Sequence, residues 1–214
     1  MNPDNKEQKR KLTPAEERRL TQFEETGRKL EERGYRRKDL TVGLVKANLF
    51  VILLSIPVLI ISMALFFLKN RDMGDLSFSG TSFLVFFVLF AGLIVVHELI
   101  HGLTWAIHAE GRFSSIEFGF IKEYFTPYCV CKSPLGKGQY ILGAVMPLLI
   151  LGILPTAAGI LFGNGLLFWI GIVMTLSAGG DILIVLQILL YKSPAPEKLF
   201  VDHPTQAGVV VYER

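Results

Sequence analysis

Charge is scarce in most of this sequence. Residues 1–46 hold 13 of the 22 Lys and Arg and 9 of the 19 Asp and Glu, so the rest of the chain is strongly apolar. The whole chain is 51% hydrophobic and carries a net charge of only +3. This composition excludes an ordinary soluble domain and a nucleic-acid-binding protein, and it predicts an integral membrane protein.

Cysteine is also rare, which excludes a disulfide-stabilised scaffold. The two cysteines, Cys129 and Cys131, are separated by a single residue. They are too close for an ordinary disulfide and too few for a structural zinc site. We expect reduced, packed thiols, with a redox-active or metal-sensing pair as the alternative. The charged N-terminal segment also lacks the basic region and apolar core of a signal peptide.

Long apolar runs, by contrast, are plentiful. A membrane-spanning helix requires about 20 mostly apolar residues. Four segments meet that requirement, and a tight polar turn at 163–165 separates the last two. The predicted spans are Val45 to Leu68, Thr81 to Ile107, Tyr140 to Phe162 and Leu166 to Tyr191.

The third predicted span contains two prolines, Pro147 and Pro155. Each removes a backbone hydrogen bond that neighbouring helices must replace. The resulting kinks either open room beside a site or serve helix packing alone.

Basic residues indicate the orientation of these spans. Four spans place both termini and the loop at 108–139 on one side, and that side carries almost all the Lys and Arg. The opposite side has only Lys69 and Arg71. Because basic residues favour the cytoplasmic side, we expect both termini to be cytoplasmic.

The charged N-terminal segment contains a signal for the start of a helix. Thr13 and Glu16 fit a capping box, with Pro14 at the first helical position. Leu20, Phe23 and Leu30 then recur at near-helical spacing up to Gly34, where we expect the helix to end. This pattern is typical of an amphipathic helix at the membrane surface. A solvated, partly disordered tail is the alternative.

The loop between the second and third spans alternates apolar and other residues at Ile116, Phe118 and Phe120, which predicts one or two short strands. The predicted fold class is an all-α integral membrane protein with four transmembrane helices, an amphipathic N-terminal extension and short strands in the cytoplasmic loop. We expect an extension at 1–43, a membrane domain at 44–192 and a cytoplasmic tail at 193–214.

The second span carries an ionisable motif, His97-Glu98-Leu99-Ile100-His101. Positions i and i+4 of a helix share one face, so both imidazoles can bind one metal ion, and zinc is the metal that this pattern favours. Glu98 is offset from that face and suits a catalytic base acting on water. Ionisable groups inside a span cost about 2.5–3.5 kcal/mol each, and metal coordination would offset that cost. A polar cluster or proton relay without catalysis is the alternative.

A third ligand is expected from another span at the same depth. His97 lies 16 residues after Thr81, and Asp181 lies 15 residues after Leu166. At about 1.5 Å per residue, both lie about 22–24 Å from the outer end of their spans. Asp181 is the only acidic residue of the fourth span, and the glycines at 179 and 180 would permit close helix approach. Pairing with another polar group, or lining a water cavity, is the alternative role.

Other candidate ligands are weaker. The extended soluble-protease pattern requires Gly at 104 and His at 107, where this sequence has Thr104 and Ile107. The remaining histidines are expected at the membrane edge and in an exposed tail, and the loop glutamates lie at the wrong depth. These candidates are His108, His203, Glu110, Glu117 and Glu123.

These motifs together resemble the bacterial putative zincin peptidase family, which is akin to the site-2 proteases. The resemblance covers about residues 30–192, including the motif that begins at His97, the Pro-bearing span and the Gly-Gly-Asp ending at Asp181. It implies zinc bound by His97, His101 and Asp181, with Glu98 activating water. The site-2 pattern places Pro before the aspartate and Gly after it, whereas this chain has Gly180 and Ile182.

The resemblance implies a zinc-dependent intramembrane metallopeptidase in the bacterial plasma membrane. The expected partners are membrane lipid and a transmembrane or membrane-associated protein substrate, without nucleic acid. A non-catalytic metal-binding scaffold or pseudo-protease is the alternative. Glu98 distinguishes the two, because a purely structural site does not require a base.

Overall fold

Helices form most of the chain in the computed structural model, which describes residues 13–71, 76, 80–121 and 126–214. Two small antiparallel sheets accompany them. The all-α prediction is therefore corrected to a mostly helical fold with sheets. The helices are α1 (Pro14–Glu32), α2 (Leu44–Asn70), α3 (Gly80–His108), α4 (Lys137–Pro147), α5 (Leu154–Phe162), α6 (Gly165–Ser177) and α7 (Gly179–Leu190).

Among the described residues, three helical segments are long and apolar enough to cross a membrane: α2, α3 and the continuous segment Lys137–Phe162 that contains α4 and α5. They match the first three predicted spans to within a few residues. Many large apolar side chains on them face outward, such as Leu84, which is 66% exposed, and Ile60, which is 64% exposed. Lipid solvates such surfaces and water does not, so this exposure is consistent with a membrane protein.

The fourth predicted span is a bent pair of helices. Helices α6 and α7 meet at a break with an angle of 49°, and they make a fourth span only if the pair counts as one. Ala178 occupies the break with a ψ of 6°, outside the helical range. A Cβ at Gly179 would lie 2.7 Å from a methyl group of Val51 in α2. Glycine therefore lets the start of α7 approach α2 closely.

The third span contains a π-helical turn, Leu148–Ile153, between Pro147 and Pro155. A proline lacks the N–H that would continue the regular hydrogen-bond ladder, which accounts for the irregular turn. The segment packs so closely against α6 that a Cβ at Gly152 would lie 2.6 Å from the Thr175 hydroxyl.

Helix α1 begins and ends as predicted. Thr13 caps the Glu16 N–H while the Glu16 carboxylate accepts from the Thr13 N–H, which completes a capping box. Gly34 follows the helix with a φ of 90°, a conformation that glycine adopts easily. Phe23 and Leu30 are buried against the β-sheet rather than turned toward a membrane. The predicted amphipathic helix is therefore present, and its apolar side chains pack on the sheet. The alternative of a disordered tail is wrong for residues 13–34, and residues 1–12 lie outside the described range.

A four-stranded antiparallel sheet joins distant parts of the chain in the order β1-β6-β5-β4. Its central strand β6 is almost wholly buried, because α1 covers one face and the helical bundle the other. The sequence analysis missed this sheet. Its strands are β1 (Arg36–Thr41), β4 (Leu135–Gly136), β5 (Lys198–Asp202) and β6 (Gly208–Glu213).

The second sheet is a hairpin in the loop between α3 and α4, as the alternating pattern predicts. Strand β2 (Ile116–Ile121) pairs with β3 (Thr126–Cys131), and Phe118 lies opposite Cys129. The hairpin packs against α3 at Gly102, where any Cβ would collide with the Phe118 ring. Gly102 follows His101 directly, so this contact places the hairpin beside the ionisable motif.

The two cysteines are free thiols, as predicted, and Cys131 is buried. Burial raises the pKa of Cys131 to about 12 and also raises the pKa of Cys129.

Only the thiolate reacts with alkylating reagents. We therefore expect Cys131 to react with iodoacetamide at pH 8 at least about a hundredfold more slowly in the folded protein than in the denatured protein. Peptide mass spectrometry of both states measures the two rates, and equal rates would contradict the burial described here.

Candidate metal centre

Helix α3 supplies two of the three clustered donors. His97 and His101 lie one turn apart, and both side chains are buried, with 6% and 4% exposed. Their Nε2 atoms are 3.1 Å apart. The i, i+4 spacing therefore places both imidazoles on one face, as the sequence predicts.

Helix α7 supplies the third donor, Asp181, in its first turn. Its Oδ2 atom lies 3.2 Å from His97 Nε2 and 3.4 Å from His101 Nε2. Zinc bonds of about 2.0–2.2 Å in tetrahedral geometry separate neighbouring ligand atoms by about 3.3–3.6 Å. The three observed separations lie within about 0.2 Å of that range, so the cluster could hold a metal ion.

The orientation of His101 is fixed by a backbone carbonyl of α4. His101 Nδ1 lies 2.8 Å from the Gly143 oxygen. A carbonyl oxygen only accepts hydrogen bonds, so Nδ1 carries the proton and the Nε2 lone pair faces the cluster. This is the outer-shell contact that metal-binding histidines ordinarily make. His97 Nδ1, by contrast, is buried without a hydrogen-bond partner in the described part of the chain.

Trp105 supports His101 from the next turn of α3. Its ring stacks on the imidazole, with centroids 5.0 Å apart and planes inclined by 14°. The indole N–H donates to the Tyr140 carbonyl at 3.1 Å, which ties it to the first turn of α4. A Cβ at Gly143 would collide with the indole. Helix α4 therefore holds both the imidazole and the ring that packs on it.

Glu98 lies beside the cluster but is not one of the three clustered donors. Its side chain is half-buried. The carboxylate accepts a hydrogen bond from the backbone N–H of Cys129 in β3. The hairpin therefore contacts the one acidic residue of the motif.

The remaining sequence candidates lie away from the three donors. His108 and Glu110 are exposed near the end of α3, and Glu117 pairs with Arg19 and Lys132. Glu123 falls outside the described residues.

His203 is half-buried rather than exposed, so that expectation is wrong. Its Nδ1 accepts from the N–H groups of Thr205 and Gln206, and its ring packs on Phe23.

Sequence reasoning missed the groups that orient the donors. Trp105 could have been found, because it lies four residues after His101 and so shares its helix face. The Gly143 carbonyl and the Cys129 N–H are backbone groups on other elements, and no pattern of side chains in the sequence predicts these contacts.

The stacking of Trp105 on His101 generates a prediction. Gly143→Ala inserts a methyl group where the indole lies, so Trp105 must move and His101 loses its support. We expect zinc affinity, measured by competition with a chelator, to fall by about tenfold, as outer-shell changes do. Gly138→Ala is the matched control, because it lies in the same helix and its Cβ meets nothing within 4 Å. Equal affinities of the two variants would refute the supporting role of Trp105.

Part of the chain is similar to a known protein family. Residues 90–195 match the family described as "putative zincin peptidase". The matched segment contains Glu98 and all three clustered donors. No curated protein and no solved structure matches the chain. Just under half of the chain is therefore similar to a family described as putative zincin peptidases, and the matched segment is the one that brings the three donors together.

Proposed function

We propose that the protein is a zinc-dependent intramembrane metallopeptidase that cleaves peptide bonds within or next to the membrane. The observation that carries this proposal is the meeting of His97, His101 and Asp181 at 3.1–3.4 Å on two apolar helices. The match to the family of putative zincin peptidases supports a peptidase activity. The helices that are long and apolar enough to cross a membrane support a location in the membrane.

His97, His101 and Asp181 are the residues that would hold zinc. Two neutral imidazoles and one carboxylate form a donor set typical of catalytic zinc, which keeps a fourth position for water or substrate. When bound, zinc supplies Lewis acidity that polarises a carbonyl group and makes water more acidic. His101 Nδ1 donates to the Gly143 carbonyl, which keeps the Nε2 lone pair directed at the ion.

Glu98 is the proposed general base. It follows His97 directly on α3 and is only half-buried, so its carboxylate remains open to a water molecule. It takes a proton as water oxygen adds to the substrate carbonyl carbon. It then gives that proton to the amide nitrogen as the C–N bond breaks. The Cys129 N–H holds the carboxylate in place through both steps.

The strand pairing supports four membrane crossings. Strand β4 precedes the third span and β5 follows α7, yet the two strands pair. Paired strands lie on one side of a membrane, so an even number of crossings separates them. If the third long helix crosses, the bent pair α6–α7 returns. Strand β1 pairs with β6, which puts the segment before the first span on the same side. The excess of basic residues on that side favours the cytoplasm.

In this proposed topology the site would lie near the cytoplasmic face. His101 lies seven residues before His108, the last residue of α3, which corresponds to about 10 Å of helix. Water can reach that depth from the cytoplasm more readily than from lipid. The proposed substrate is a transmembrane or membrane-associated protein, whose helix must unwind locally to expose a peptide bond. The hairpin β2–β3 lies beside Glu98 and could hold the unwound strand by edge pairing.

The role of Glu98 is testable by an isosteric change. Glu98→Gln removes the base but keeps the three donors, so we expect zinc content to stay unchanged. Cleavage of fluorogenic casein, or of fluorogenic transmembrane peptides in proteoliposomes, should fall by about 100-fold or more, because general acid–base catalysis contributes 10²–10⁴.

Glu110→Gln is the control for that experiment, because Glu110 is an exposed carboxylate close to the end of the same helix. It should retain full activity. Full activity in Glu98→Gln would exclude Glu98 as the base. An inactive wild-type protein that still binds zinc would favour a non-catalytic metal-binding scaffold.

A further inference from the structure

A hydrogen-bond network connects strand β5, which follows α7 in the chain, to the proposed site. Asp202, the last residue of β5, lies beyond the segment that matches the family model. Its side chain is half-buried, and both of its carboxylate oxygens are engaged. Oδ1 accepts from the Tyr140 hydroxyl at 2.5 Å, and Oδ2 accepts from the Cys131 N–H at 2.8 Å. One carboxylate therefore joins the start of α4 to the end of β3.

The bond to Cys131 leads to Glu98. In a β-strand, the N–H groups of residues i and i+2 point to the same side. Cys129 and Cys131 both direct their N–H groups away from β2, toward two carboxylates. Cys129 donates to Glu98, and Cys131 donates to Asp202. Because buried backbone N–H groups require partners, Asp202 fixes the edge of β3 that also holds the proposed base.

The bond to Tyr140 leads to His101. The Tyr140 carbonyl accepts from the Trp105 indole, which stacks on His101. One turn later, the Gly143 carbonyl accepts from His101 Nδ1. Asp202 holds the Tyr140 side chain, so it fixes the turn of α4 that carries both acceptors. Displacing that turn would move the imidazole and its stacking partner together.

From these two connections we infer that Asp202 is a positioning residue for the proposed site, and that β5 is part of the functional unit. Asp202 is not one of the three clustered donors. It sets the orientation of Glu98 through β3 and of His101 through α4. This inference rests on the proposed function for its effect on catalysis, whereas its effect on metal binding does not require any peptidase activity.

The test uses the purified full-length protein and three substitutions. Asp202→Ala removes both acceptors. Tyr140→Phe removes only the connection to α4. Asp202→Asn keeps the volume and can restore both bonds, because its amide oxygen accepts from Cys131 and its NH₂ donates to the Tyr140 hydroxyl oxygen. Glu213→Gln is the matched control. Glu213 lies on the neighbouring strand β6, and its carboxylate also accepts from a tyrosine hydroxyl, that of Tyr191 at 2.8 Å.

Three readouts separate positioning from general stability: zinc affinity by chelator competition, the visible absorption spectrum of the Co²⁺-loaded protein, and peptide cleavage at saturating zinc. We expect Asp202→Ala to weaken zinc binding by about tenfold or more and to alter the Co²⁺ spectrum. Its cleavage rate should fall even with zinc saturating, because Glu98 is also displaced. Tyr140→Phe should weaken zinc binding with a smaller loss of rate.

Asp202→Asn should recover most of the wild-type affinity and spectrum, and Glu213→Gln should match wild type in both. Wild-type zinc affinity in Asp202→Ala, or an equal loss in Glu213→Gln, would overturn the inference. If Asp202→Ala does not fold, the zinc affinity of Tyr140→Phe decides the role of Asp202. Wild-type zinc affinity in Tyr140→Phe would then overturn the inference. If the wild-type protein binds zinc but cleaves no peptide, the proposed function fails while the zinc comparison still decides the role of Asp202.

Discussion

The structure depends on three polar groups that meet between apolar helices. His97, His101 and Asp181 approach one another to 3.1–3.4 Å, and both imidazoles are buried. Burying ionisable groups in an apolar environment is costly unless they are paired or bind a metal. A divalent cation satisfies two imidazole lone pairs and a carboxylate at the same time. Contacts from the surrounding helices and strands, such as the Gly143 carbonyl on His101, hold these side chains in place.

Three elements hold the cluster from different directions. Helix α4 fixes His101 through the Gly143 carbonyl and through Trp105. Helix α7 begins with Gly179 packed directly on α2, and two residues later its Asp181 reaches the histidines of α3. The β-hairpin reaches Glu98 through a backbone N–H. The four-stranded sheet connects these elements through Asp202, so segments at both ends of the chain contribute to the geometry of a site in its middle.

Local patterns in the sequence predict much of this arrangement. The spacing of His97 and His101 identifies the shared helix face, and helix rise alone places Asp181 at a similar depth. The capping box at Thr13 and the alternation in the hairpin are equally local, and both are found in the structure. Such features depend on residues a few positions apart, where the chemistry of each side chain limits the backbone directly.

The missed features depend on contacts between distant residues. Strand β4 has only two residues, and β1 has the sequence RRKDLT without apolar alternation, so neither carries a strand signal. Strand β6 does have a valine-rich sequence, but its partners β1 and β5 lie on segments separated by the long apolar helices. At the bend before Asp181, Gly179 packs on Val51 of α2, a contact that the sequence of α7 alone does not reveal.

His97, His101 and Asp181 are proposed to bind one metal ion together. The most direct measurement is the zinc content, by mass spectrometry of the metal, of the purified protein and of His97→Ala, Asp181→Ala and His108→Ala. A catalytic zinc site of this type predicts about one zinc per chain in the wild-type protein and in His108→Ala, and less than about a tenth of that in the other two variants. Undiminished zinc in His97→Ala and Asp181→Ala would contradict the account.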